Sequence, residues 1–311
     1  MKKFNEMKVG DDVQFLALVE GFQKRFTPNK SAYYSMSLSD GQTIIDARVW
    51  DVLLVENINV TAGNVYSFAA HINEYAGKMQ YVIRSINIVD ENEVDVEQFY
   101  RKAPLSEDNL KNGIKEYIKK IDNEILRKVV IELINDVSDK YFTYPAAMSM
   151  HHNYKNGLIH HTYSMLKLAD TCLALYPNLN KDLLYAGVLV HDVGKTKELS
   201  GVRSPIYTED GNLLGHIVIG LQMLAVVADR LNYQDTEEVK MLEHLIVSHH
   251  GELEWGSPKE PGIIEAYALH FIDLTDSKLA ALNPEITNTA KGTQTGPINS
   301  INRKSLYVPK L

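Results

Sequence analysis

Leu183-Leu184-Tyr185-Ala186-Gly187-Val188-Leu189-Val190-His191-Asp192-Val193-Gly194-Lys195 is an apolar run that ends on ionisable groups. From Leu183 to Val190 it presents no polar face, so as a helix it must be buried all round. His191 and Asp192 therefore sit at the end of a buried helix. Ionisable groups there are costly to desolvate unless they are paired or bound to metal. Imidazole and carboxylate are good ligands for a divalent cation. A carboxylate can also bridge two ions, one oxygen to each, and Asp192 is the candidate bridge.

Adjacent residues on one helix cannot surround an ion, so the other ligands must come from neighbouring helices. The periodicity of apolar residues predicts helices near 158–176, 181–192, 214–231, 236–250 and 262–280. Each carries a candidate. His161 lies near the start of the first and His216 opens the third. His249 and His250 end the fourth, and Asp273 lies mid-helix in the last. Any one of these is as readily a hydrogen-bonded polar residue at a helix end. The ordered set His161, His191, Asp192, His216, His249 and Asp273 is what points to a metal centre. Upstream, Ser106 is a plausible N-cap, with Glu107 and Asp108 in the first turn. Ile114, Ile118 and Ile121, then Ile125, Val129 and Leu133, recur at helical spacing. Residues 106–282 thus read as one all-α domain, and 283–311 as an irregular tail pinned by Leu306, Tyr307 and Val308.

Residues 1–89 read as β. Strands are predicted over Val13–Phe22, Ala32–Leu38 and Thr43–Trp50, with a turn at Ser39-Asp40-Gly41. Asp51 can cap a short helix to Glu56. Val65–Ile72 and Met79–Val89 form a second hairpin, with Gly77 in its turn. Three strands, a short helix and two strands is the element order of an OB-fold, a five-stranded barrel that commonly binds oligonucleotides; an SH3-like barrel or a piece of a β-sandwich is the alternative. Among its aromatic residues Phe26, Tyr33, Tyr34, Tyr75 and Tyr81 are candidates for base stacking, about two of them facing a strand. Trp50 is assigned to packing. The predicted architecture is multi-domain: an all-β OB-fold barrel, a linker over 90–105, and the all-α domain.

Composition bounds these readings. The chain has 311 residues, 45% of them hydrophobic, enough for two cores. Cys172 is the single cysteine, so no internal disulfide forms, which fits a reducing cytosol. It reads as a small core residue. No run of 18 apolar residues appears and no apolar segment follows Lys2 and Lys3, so neither a membrane span nor a secretory signal is expected. The expected location is cytoplasmic. A net charge of −8 argues against a protein that coats nucleic acid. The first 89 residues are neutral, however, with nine basic and nine acidic side chains; an acidic run, Asp90, Glu91, Glu93, Asp95 and Glu97, follows them.

His…His-Asp…Asp, as His161…His191-Asp192…Asp273, resembles the signature of the HD superfamily of metal-dependent phosphohydrolases. His216 and His249 resemble the additions of members that carry two metals. Gly157-Leu158-Ile159-His160-His161-Thr162 is similar to the family's first-ligand segment, which assigns His161 rather than His160. His191-Asp192-Val193-Gly194-Lys195 resembles His-Asp-x-Gly-Lys, in which the lysine contacts substrate phosphate. With the barrel in front, residues 10–280 resemble the YhaM-type 3′-to-5′ exoribonucleases. The segments that carry this are His151-His152-Asn153-Tyr154, the run from Ser248 through His249-His250-Gly251-Glu252-Leu253-Glu254-Trp255-Gly256-Ser257 to Pro258, and His270-Phe271-Ile272-Asp273. His160 departs from the pattern, where an acidic residue is expected.

The resemblance implies two divalent ions, Mn²⁺ first, with Fe²⁺ and others also suited. It implies a dinuclear centre bridged by Asp192 that hydrolyses the terminal phosphodiester of single-stranded RNA, with single-stranded DNA as a further substrate. Asp192 and Lys195 would be catalytic; Lys195, His250, His152, Tyr33 and Tyr34 would bind substrate. His151 fits a phosphate contact or a loop cap equally. Glu252 and Glu254 are read as solvated surface. A homo-oligomer is left open and no membrane partner is expected. Two other readings remain: a phosphodiesterase acting on a cyclic dinucleotide or nucleotide, and a DNA-binding regulatory factor with a degenerate metal site.

Overall fold

The computed structural model describes residues 3–75, 78–90, 92, 94–147, 153–202 and 205–311. The chain divides into two compact units, Met1–Lys102 and Ala103–Leu311.

The first unit is a closed barrel of five strands: β1 (Asp12–Phe26), β2 (Ala32–Ser39), β3 (Ile44–Val49), β4 (Val65–Tyr75) and β5 (Lys78–Ile88). The strand order round the barrel is β1-β2-β3-β5-β4, closed by the pairing of β4 with β1. All pairings are antiparallel except β3 with β5. A short helix, α1 (Leu53–Glu56), connects β3 to β4, with Asp51 Oδ1 accepting the Leu53 N–H at 3.1 Å. This is the topology of an OB-fold. Alternate residues point inward, as a pleated strand requires: Phe15, Ala17 and Val19 from β1, Met36 and Leu38 from β2, Ala47 and Val49 from β3 fill the interior.

The acidic stretch is only in part a linker. Glu91 and Glu93 lie outside the described residues. Val96–Phe99 forms a 3₁₀ turn in which Val96, Phe99 and Tyr100 are buried against Leu18 and Val65 of the barrel. The charges of Asp95 and Glu97 mask three apolar side chains that a solvated linker would expose.

The second unit is helical: α2 (Glu107–Lys119), α3 (Glu124–Asn135), α4 (Ser138–Thr143), α5 (Gly157–Leu175), α6 (Lys181–Val190), α7 (Lys195–Glu198), α8 (Glu209–Leu213), α9 (Gly215–Arg230), α10 (Glu237–Ser248) and α11 (Ile264–Thr287). Helix α6 is its axis. Every residue from Leu183 to Val190 is buried. The helix packs against α2, α3, α5, α10 and α11. Asn180 starts it, its Oδ1 accepting the Asp182 and Leu183 N–H groups. Its last turn delivers His191 and Asp192 to the middle of the bundle. Ser106 and Asn123 cap α2 and α3 in the same way. Cys172 is half-buried and packs against the core.

The long helices lie where the periodicity places them; α4, α7 and α8, of four to six residues, are too short to show one. Helix α11 runs to Thr287, past Pro284, rather than stopping at 282. The chain after it turns back on itself through bridges between Gln294 and Tyr307 and between Ile298 and Lys304, and Val308 is buried. Among the described residues no helix is long and apolar enough to cross a membrane.

Gly194 sets how closely α7 approaches α9. A Cβ there would collide with the His216 carbonyl and lie 2.7 Å from the Gly220 nitrogen, both backbone atoms that cannot swing aside. We expect Gly194→Ala to destabilise the protein by about 1–3 kcal/mol, the usual cost of overpacking, and to displace His216. Thermal denaturation monitored by circular dichroism tests this; an unchanged midpoint would show that the two helices separate freely.

Candidate metal centre

Five helices bring six side chains to one buried point. His161 comes from the second turn of α5, and His191 and Asp192 from the residues that follow α6. His216 is in the first turn of α9, His249 caps α10, and Asp273 lies midway along α11. His161, His191, Asp192 and His249 are all buried. The ligand atoms of His161, His191 and Asp192 lie within 4.8 Å of one another, and so do those of His216, His249 and His250. Asp192 faces both triads. Its Oδ2 is 3.3 Å from His191 Nε2 and 3.8 Å from His161 Nε2. Its Oδ1 is 3.4 Å from His216 Nε2 and 3.8 Å from His249 Nε2. Asp273 Oδ1 stands 3.2 Å from His161 Nε2.

The rings are aimed by their other nitrogens. His191 Nδ1 donates to the Val188 carbonyl at 3.0 Å and His249 Nδ1 to the Ile246 carbonyl at 2.7 Å. His161 Nδ1 donates to Asp276 Oδ2 at 2.7 Å. Glu198 Oε1 accepts from both the backbone and Nδ1 of His216. With Nδ1 committed in each ring, Nε2 is the atom turned to the centre, as in metal sites whose outer partners fix the ligand tautomer. His191 Nε2, His216 Nε2 and Asp192 Oδ1 are buried without a hydrogen-bond partner among the described residues. Buried polar atoms are rarely left so, because each forfeits its hydration. A divalent cation would satisfy all three, and the nitrogen and carboxylate donors suit one. The residues fit the group.

The electrostatics are those of a site without bound cations. Burial disfavours the Asp192 carboxylate, but Lys195 and then His191 outweigh it and hold its pKa well below the usual range. Burial likewise opposes charge on Lys195, and Asp192 reverses that, raising its pKa. Burial disfavours the His161 imidazolium, yet its bonds to Asp273 and Asp276 raise its pKa to about 9. His249, buried and near other imidazoles, is pushed well down and stays neutral.

Lys195, expected at the substrate phosphate, has its Nζ on Asp192 Oδ2 at 2.6 Å. It follows Asp192 by three residues, one turn on, which brings the two together. His250, expected beside the substrate, joins His216 and His249, and its Nδ1 donates to the Trp255 carbonyl at 2.9 Å. His151 and His152 lie outside the described residues. His160, beside the ligand, bonds the Tyr154 hydroxyl through Nδ1 at 2.7 Å. Asp276 and Glu198, which orient His161 and His216, went unread. Asp276 follows Asp273 by one helical turn and Glu198 follows Lys195 likewise, which is the signal each offered. Glu252 and Glu254 are exposed.

In the barrel Tyr33 and Tyr34 cannot both face a ligand, because neighbours on a strand point to opposite faces. Tyr34 turns to the rim of the core, edge-on to Phe22, with its hydroxyl 3.3 Å from Glu56. Tyr33 faces outward, 4.9 Å from the Trp50 ring, with Arg48 over its other neighbourhood at 5.7 Å. Trp50 is 47% exposed and so is not a packing residue. Phe26 and Tyr75 are exposed as well, and Tyr81 is buried against Phe4.

Residues 158–278 match the family described as HD domain. That span contains His161, His191, Asp192, His216, His249 and Asp273, so all six candidate ligands lie in the part of the helical unit that matches this domain. The barrel region is similar to the solution structure of the second OB-fold domain of replication protein A from Methanococcus maripaludis. Identity is 15% over 29% of this chain and 94% of that one, with a TM-score of 0.24. The barrel's class rests on its own strand order.

Two outcomes are expected of the centre. Below about pH 9 the metal-free protein holds a proton on His161 that must leave before Nε2 can bind a cation. Titration with Mn²⁺ at pH 7 and 8 should therefore release protons, and affinity should rise by up to about tenfold per pH unit towards pH 9. Calorimetry in buffers of different ionisation enthalpy measures this; equal affinity at both pH values without proton release would remove His161 from the ligand set. Asp192→Asn should lose bound metal and strand Lys195 without its counter-ion, destabilising the fold by about 3–5 kcal/mol. Adding Lys195→Met should restore the melting temperature but not the metal. Full metal content in Asp192→Asn would contradict the central place of this carboxylate.

Proposed function

We propose that the protein is a metal-dependent exoribonuclease that removes nucleotides from the 3′ end of single-stranded RNA, with single-stranded DNA as a further substrate. What carries the reading is one chain joining an HD domain, in which His191 Nε2, His216 Nε2 and Asp192 Oδ1 are buried without a hydrogen-bond partner among the described residues, to a closed barrel with Tyr33, Trp50 and Arg48 on its outer face. RNA preference and polarity follow the resemblance to YhaM-type enzymes. Bases stack on exposed aromatic rings without regard to sequence, and a neighbouring guanidinium serves the phosphate or the ring.

His161, His191 and Asp273 on one side of Asp192, and His216, His249 and His250 on the other, would hold the metal, with Asp192 between them. When bound there, divalent ions, Mn²⁺ first, supply Lewis acidity and lower the pKa of a water that attacks the phosphodiester. Lys195, paired with Asp192 at 2.6 Å, would stand beside a phosphate bound at the centre, where its Nζ would offset charge developing on a phosphoryl oxygen. Asp276 and Glu198 keep His161 and His216 in the tautomer that presents Nε2. A cyclic dinucleotide would use the same helical site but leaves the aromatic face of the barrel without a role.

With Mn²⁺ and single-stranded RNA labelled at its 5′ end, the expected products are a ladder shortening from the 3′ end and free mononucleotides, abolished by a chelator. RNA left intact while a cyclic dinucleotide is cleaved would refute the proposal. Trp50→Ala should raise KM for RNA by about 5–150-fold, the equivalent of one base's stacking at about 1–3 kcal/mol, with kcat little changed. KM equal to that of the unaltered protein would show that this face of the barrel does not hold the strand.

A further inference from the structure

The helical unit has an aromatic surface of its own. Trp255 is 53% exposed, Phe271 57% and Tyr267 50%. They form a row through the His270 ring: Trp255 to His270 is 5.8 Å between ring centres, His270 to Phe271 5.2 Å, and Phe271 to Tyr267 6.4 Å, with interplanar angles of 31–49°. Large aromatic side chains left half open forgo part of their burial, and a row of them marks a surface that something covers.

The row is fastened to the metal centre. The Trp255 carbonyl accepts from His250 Nδ1, and His270 Nδ1 donates to the His249 carbonyl at 3.0 Å. Phe271, two residues before Asp273 on α11, projects from the other side of the helix and connects towards the centre through the His270 ring. Gly251, with φ +81°, lets the turn after α10 close on the His270 ring; a Cβ there would run into that ring. The Ser257 hydroxyl lies 3.0 Å from the Val247 carbonyl and 2.9 Å from that of Lys259, holding the other end of the turn. His249, which faces Asp192, its neighbour His250 and Trp255 therefore belong to one short, hydrogen-bonded segment.

We propose that Trp255 and Phe271 form a stacking platform for a nucleobase flanking the phosphodiester bond that is cleaved. The inference rests on the exoribonuclease reading. A phosphate drawn to the His/Asp cluster brings the base of its own nucleotide to the adjoining surface, and an aromatic face binds any base because each has a π-face. The barrel then grips the strand elsewhere, and Trp255 and Phe271 position the bond within the helical unit. Both are positioning residues: neither touches the reacting atoms.

The test crosses removal of the base with removal of the ring, in the full-length protein loaded with Mn²⁺. Substrates are an intact RNA strand and two otherwise identical strands that lack the base of the terminal or of the penultimate nucleotide. Unaltered protein should prefer the intact strand over one of the abasic strands by about 5–150-fold in kcat/KM, mostly through KM. In Trp255→Ala/Phe271→Ala that preference should fall towards one, and Trp255→Phe should keep most of it. A preference unchanged in the double variant would overturn the platform while leaving the exoribonuclease reading intact. Equal loss on all three strands would make the pair structural and overturn it too. A changed subunit number in the double variant by sedimentation would turn the row into a contact between copies. If the unaltered protein cleaves none of the strands, the exoribonuclease reading itself falls, and the platform with it.

Discussion

A carboxylate held inside a helical bundle is the constraint on which the helical unit is built. Asp192 follows α6, whose residues from Leu183 to Val190 are buried, so its charge reaches the interior with no route to water along its own helix. Removing a carboxylate from water costs several kcal/mol even after the surroundings relax. Here Lys195 at 2.6 Å and four imidazoles within 3.8 Å surround it. Four other helices converge on the end of α6: α5, α9 and α10 each deliver a ring, and α11 delivers the Asp273 carboxylate. That convergence fixes where α5, α10 and α11 pack on α6, with α9 reaching the same point from its packing on α7 and α10.

The imidazoles themselves are held from behind. Two spend Nδ1 on carbonyls of their own helices, at Val188 and Ile246, and two on carboxylates, Asp276 and Glu198. The carbonyl partners come with the helix, since a residue at a helix end can fold back on the carbonyl three residues earlier. The carboxylate partners do something more. Asp273 and Asp276 stabilise charge on His161, whereas burial and the neighbouring imidazoles keep His249 neutral.

The barrel solves a different problem. Five strands closed on themselves leave no sheet edge exposed, and inward alternate residues fill the interior. Outward positions are free for other uses, and the cross-strand neighbours Tyr33 and Trp50 stack there with Arg48 beside them. Their exposure is affordable because Phe15, Phe68 and the aliphatic residues inside supply the core.

Periodicity alone shows much of this architecture. Alternation over residues 13–50 and 65–89 marks strands, and 3.6-residue spacing from Ser106 marks helices. The buried run ending in His191-Asp192 marks the centre, because local patterning records which face of an element meets apolar neighbours. The same pattern misplaces what depends on partners far along the chain. Val96, Phe99 and Tyr100 read as linker because the barrel surface that buries them is built from Leu18 and Val65. Trp50 reads as core and Tyr34 as platform, whereas strand register sets Trp50 beside Tyr33 outside and Tyr34 at the core rim. Asp276 and Glu198 gain their roles only when α11 and α7 pack beside His161 and His216. Residue type and spacing thus determined which side chains can meet a cation. Helix packing and strand register, which arise from contacts between distant segments, decided which atoms of those side chains face one another.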